Sequence, residues 1–180
     1  MYLNGNLDEW RTDPMSDEID VASTVALMRA ASADAWVMND EAEGQPVILV
    51  RRLTEDGVTL RVTRDHSPAL EEDVRFIAHA GQDVNYLVAR LRDGRRGPMA
   101  RIEEIETRCR LASPGPWRAF LESDGGIGGS SVIQVSESDG EPDMYLWLDD
   151  APAPDAYFGF VASVRQDLQR LLDAAGRIPG

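Results

Sequence analysis

The same helical stripe occurs twice in this chain of 180 residues, and that repetition limits the folds open to it more than any other feature. In residues 76–91 the apolar positions are Phe76, Ile77, Ala80, Val84, Leu87, Val88 and Leu91; in residues 160–175 they are Phe160, Val161, Val164, Leu168, Leu171, Leu172 and Ala175. The spacing is identical and keeps one side of a helix apolar over about four turns. A polar pair recurs inside both stripes, as Gln82-Asp83 and Gln166-Asp167.

The repeat extends upstream. Val21, Thr24, Met28 and Ala31 match Ile102, Ile105, Cys109 and Ala112 at helical spacing, and each run leads through a serine to a tryptophan, Ser32 to Trp36 and Ser113 to Trp117. This upstream offset is shorter by three residues than that of the stripes, so the second copy carries a three-residue insertion between them. Between the helices the pattern shortens to β runs: 36–39, 46–53 and 58–64 in the first copy, 117–122, 131–136 and 144–148 in the second. Val58, Leu60 and Val62 alternate with Thr59, Arg61 and Thr63, the period of a half-buried strand. The predicted fold class is therefore α+β, a tandem duplication of a module made of a helix, a three-stranded antiparallel sheet and a second helix, in a pseudo-twofold arrangement. The expected divisions are an N-terminal arm over 1–15, a first module over 16–94, a linker over 95–98 and a second module over 99–180. Modules of this size are marginal alone, so the two are expected to share an interface.

Charge narrows the function. Thirty-two acidic residues against 18 basic ones leave a net charge of −14, which opposes nucleic-acid binding because that depends on cations neutralising phosphates. No apolar run is long enough to span a bilayer, the N-terminus lacks the basic and apolar regions of a signal peptide, and the lone Cys109 has no disulfide partner. These features predict a cytoplasmic protein with no membrane association. Between Arg118 and Arg165 there is no basic residue, while Glu122, Asp124, Glu137, Asp139, Glu141, Asp143, Asp149, Asp150 and Asp155 are all acidic.

The segments Ile-Glu-Glu-Ile-Glu-Thr-Arg-Cys (102–109), Ser-Pro-Gly-Pro-Trp (113–117) and Phe-Val-Ala-Ser-Val-Arg-Gln-Asp-Leu (160–168) resemble, in that order, the Ead-like accessory proteins of phages and prophages. The better match lies in residues 99–176 and a weaker one in 16–94. The resemblance implies a mobile-element or genome-defence setting and supplies neither a reaction nor catalytic residues.

The residues themselves offer no catalytic constellation. His66 and His79 fall in different elements, and Cys109 occupies an apolar helix position, where it acts as a small hydrophobe. The glycine-rich run 124–131 precedes a strand and lacks lysine, so it reads as a hairpin loop and not a phosphate cradle. Asp139, Glu141 and Asp143 lack the loop length and terminal glutamate of a calcium site. Neither metal nor cofactor is expected. The Gln-Asp pairs read as structural, making either a helix-surface hydrogen bond or a contact with an arginine across the interface, Arg165 and Arg170 being near in the second copy. In residues 144–148, aromatic Tyr145 and Trp147 alternate with aliphatic Met144, Leu146 and Leu148, so either set could face outward.

The leading expectation is a non-catalytic acidic binding protein, an inhibitor or immunity-type antagonist of a basic protein partner, with contacts from Asp139, Glu141, Asp143, Tyr145, Trp147, Asp149 and Asp150. The alternative is sequestration of a small nucleotide in a groove between modules, with Arg51, Arg52, Arg61 and Arg64 holding phosphate.

Overall fold

A computed structural model describes residues 20–39, 46–51, 57–65, 67–94, 98–124, 130–135 and 143–176. The expected arm, most of the expected linker, and Arg52, His66, Asp139 and Glu141 lie outside the described residues.

Among the described residues, four helices and an antiparallel sheet make an α+β structure. The order in the first half is α1 (Val21–Ala30), β1 (Trp36–Asn39), β2 (Val47–Val50), β3 (Val58–Arg64), β4 (Ser67–Pro68) and α2 (Glu71–Asp93). The second half follows the same order with α3 (Met99–Leu111), β5 (Arg118–Phe120), β6 (Val132–Gln134), β7 (Met144–Leu148), β8 (Ala151–Pro152) and α4 (Asp155–Gly176). Asp20 starts α1 by accepting the amide and hydroxyl protons of Ser23, bonds that hold its carboxyl below the usual carboxylate range. Expected strand 117–122 is shorter in the structure because its end turns into a 3-10 segment (Glu122–Asp124), where the Glu122 amide donates to Ser131 Oγ.

The two sets of strands form one continuous sheet in the order β1-β2-β3-β7-β6-β5, with β4 beside β3 and β8 beside β7. The join is the antiparallel pair β3 and β7, in which Val62 faces Leu146 at the centre. Contacts around this join come in matched sets, each member 84 positions after its counterpart. The Asp65 amide donates to the Asp143 carbonyl, and the Asp149 amide to that of Thr59. Likewise the Ala69 amide donates to Val62 and the Ala153 amide to Leu146. Asp65 and Asp149 both sit in the left-handed region, at φ 50° and 52°, a conformation that aspartate tolerates better than most side chains.

Side chains alternate across the sheet. Trp36, Ile48, Val50, Leu60, Val62, Ile133, Met144 and Leu146 point to one face and are buried under the helices. Val37, Leu49, Thr59, Arg61, Thr63, Tyr145, Trp147, Val132 and Gln134 point to the other face and are half-buried or exposed. The aliphatic side of β7 is therefore core and its aromatic side lies on the open face, which resolves the ambiguity of residues 144–148.

The helical layer interlocks the halves. Trp36 packs edge-to-face on Phe160 of α4 at 5.6 Å and 78°, and Trp117 packs on Phe76 of α2 at 5.5 Å and 79°. Each tryptophan thus belongs to one half and its phenyl partner to the other. Trp36 is also stacked on Tyr157. No helix among the described residues is long and apolar enough to cross a membrane.

Candidate functional site

The Gln-Asp pairs have structural duties. Gln82 Nε2 donates to the Trp36 carbonyl and Gln166 Nε2 to the Trp117 carbonyl, so each glutamine satisfies an acceptor at the start of an outermost strand. Asp83 is nearly inaccessible and accepts from Arg108 Nε at 3.1 Å and Nη2 at 2.8 Å, and from Arg101 at 2.9 Å. Burial pushes its carboxyl above the ordinary range against the opposing pull of Arg108 and Arg101. Asp167 accepts from Thr24 Oγ1 at 2.8 Å and lies 3.7 Å from Arg170. The two aspartates therefore tie α3 to α2 and α1 to α4, each joining helices from opposite halves.

Asp73 was not singled out by sequence, yet it is fully buried and organises a second polar centre. It accepts from the Ser113 amide at 2.7 Å and hydroxyl at 2.9 Å, and Arg64 lies 3.4 Å away while donating to Ser113 Oγ. Its position in the first turn of α2 reads from sequence as an ordinary acidic helix start, which hides the role.

The expected partner-binding residues divide around β7. Tyr145 and Trp147 project from the open face, half-buried, and Trp147 Nε1 donates to Thr63 Oγ1 at 3.1 Å. Asp143 precedes the strand beside Asp65; burial and that neighbouring charge raise its carboxyl above the usual range. At the opposite end, Asp149 Oδ1 accepts the Thr59 amide at 3.0 Å, and Asp150 lies 3.6 Å from Arg61. That ion pair is exposed and partly neutralises Asp150, so Asp143 and Asp65 form the less compensated end. With a rise of about 3.3 Å per residue, the two acidic ends stand roughly 20 Å apart with the aromatic pair between them.

The structure separates the three described arginines among the four expected to hold phosphate. Arg61 is on the open face with Asp150, Arg64 is buried on the helix side with Asp73 and Ser113, and Arg51 is exposed beyond the end of β2. The halves meet strand to strand at β3 and β7, so these side chains do not converge on a groove at that join.

Cys109 is buried, and burial pushes its thiol up to about 11, so the sulfur stays protonated at neutral pH. His79 Nδ1 is 2.9 Å from the Arg75 carbonyl on its own helix. Among the described residues, no three His, Cys, Asp or Glu side chains are grouped so as to hold a metal ion.

What these elements define is an α+β protein with one helix-covered and one open sheet face. In comparisons with known proteins, the chain matches no family model, no curated protein and no solved structure.

Proposed function

We propose that the chain is a tandem duplication of one α+β unit and that it serves as a non-catalytic binding protein, an inhibitor or immunity-type antagonist of a basic protein. The observation that carries the binding role is the open face of β7, where Tyr145 and Trp147 stand between carboxylate groups at both strand ends. Aromatic side chains supply contact area at low entropic cost, and the flanking carboxylates accelerate encounter with a cationic surface and fix its register. The matched contacts 84 positions apart support the duplication. A toxin, nuclease or defence factor is the class of partner that fits, and the resemblance to Ead-like proteins suggests a mobile element as the source and the cytoplasm as the site of action.

The nucleotide reading is the weaker one, because Arg61 and Arg64 lie on opposite faces of the sheet.

The test is isothermal titration against the captured basic partner at a series of salt concentrations. Wild-type affinity is expected to fall steeply with salt, and the combined reversal of Asp139, Glu141 and Asp143 to lysine to abolish binding. Unchanged affinity in that triple variant contradicts the reading.

A further inference from the structure

A cleft of about 460 Å³ lies on the helical side of the molecule, between α3 and α4 and away from the open sheet face. Glu106, Cys109 and Arg110 line it from α3, and Arg165 and Gln169 from α4. Its volume is in the range that small-molecule sites occupy.

Arg165 is held in place before any ligand arrives. Its guanidinium lies over the rings of Phe76 and Trp117, 5.5 and 5.9 Å from their centroids, and its Nε donates to the Ser113 carbonyl at 3.0 Å. Those contacts occupy the flat face and one of five N–H donors, and the terminal amino groups make no hydrogen bond within the described residues. Arg110 is exposed on the same cleft, without a hydrogen bond or ion pair to a described residue. A fixed guanidinium with both terminal amines open matches the two oxygens of a carboxylate or phosphate, and a second cation beside it adds to the attraction.

We propose that the cleft between α3 and α4 binds the oxyanion group of a small acid, a carboxylate or a phosphate ester, on Arg110 and Arg165. The neutral thiol of Cys109 leaves the lining without a thiolate to repel such a ligand. Glu106 is the one opposing charge, and it limits the affinity. The lining residues all come from the second half. By the sequence repeat, Arg29 is the counterpart of Arg110, but Gly81 occupies the position of Arg165. The site is independent of the proposed protein-binding face.

The experiment is a ¹⁵N NMR titration of the full chain with inorganic phosphate and, separately, with acetate, at constant ionic strength set by sodium chloride. Saturable shifts are expected at the Arg165 Nε–H, the Gln169 side-chain amide and the backbone of residues 109–112. A response to only one of the two anions identifies the acid class. Arg110→Ala is expected to weaken binding about tenfold and Glu106→Gln to tighten it severalfold. Arg29→Ala removes the same charge from the counterpart helix and is expected to leave the affinity unchanged. All three positions are exposed, so the variants retain the fold. Shifts that grow linearly without saturating, shifts confined to other residues, or equal weakening by Arg110→Ala and Arg29→Ala overturn the proposal.

Discussion

Replacing Asp83 with alanine is expected to destabilise the protein by about 3–5 kcal/mol, the usual cost of breaking a buried ion pair from one side. The loss arises less from the attraction removed than from what stays behind. Arg108 retains only 14% side-chain exposure, and without Asp83 the Nε and Nη2 donors that it directs at the carboxylate are left unmade. Urea unfolding of the variant, with the midpoint falling at constant slope, measures the effect. The pH dependence has a definite sign. Because the Asp83 carboxyl sits above its unfolded value, the folded protein takes up this proton first, and the group favours folding increasingly as pH falls through its raised pKa. Asp20 and Asp155 behave oppositely. The hydroxyls of Ser123 and Ser131 hold Asp155 low, as Ser23 does Asp20, so their contributions are lost as pH falls. Alanine at Asp83 removes a contribution that grows as pH falls and leaves the losses at Asp20 and Asp155 less opposed, so it is expected to steepen the acid limb of the wild-type profile.

The second large effect is expected at the tryptophans. Trp36→Ala and Trp117→Ala should each cost about 3–5 kcal/mol, since both rings are fully enclosed and leave cavities that the surrounding helices cannot fill. The near-equality of the two losses is the informative result, because each ring meets a phenyl from the other half with almost the same geometry. Double-mutant cycles pairing Trp36 with Phe160 and Trp117 with Phe76 should both return a coupling of about 0.5–1.5 kcal/mol. A large loss at one tryptophan and a small one at the other would show that one half carries the stability and the other rides on it.

The helices were the most legible part of the fold. The stripes over 76–91 and 160–175 map onto the buried sides of α2 and α4 because helical periodicity is local and survives without knowledge of the partner surface. The pairing of β3 with β7 was not legible, because it joins residues 80 to 88 positions apart and leaves no short-range signal. The sequence predicts a three-stranded sheet in each module and an interface between modules, whereas the structure joins the two sets of strands edge to edge in one continuous sheet. Strand β7 shows the same limit at single-residue scale. Its alternation separates Tyr145 and Trp147 from Met144 and Leu146, but only the placement of α4 and α2 decides which set is covered.

The candidate site was legible in part. Asp143, Tyr145, Trp147, Asp149 and Asp150 do lie on or beside one strand, yet the sequence gives no hint that Asp149 caps the Thr59 amide or that Arg61 reaches Asp150. Asp83 stood out through the repeated Gln-Asp pair, whereas Asp73 was indistinguishable by residue type from the solvated carboxylates around it, since aspartate is seldom fully buried unless it is paired. The arginines that meet them come from distant segments: Arg64 from a strand, Arg101 and Arg108 from α3.

The orientation of β7 is the point on which the proposed binding face depends, and solvent paramagnetic relaxation measured by NMR with a soluble gadolinium chelate reads it directly. Ring protons of Tyr145 and Trp147 are expected to relax strongly, with the methyl groups of Met144 and Leu146 shielded. Strong relaxation at Met144 and Leu146 with protected aromatic rings would contradict the account.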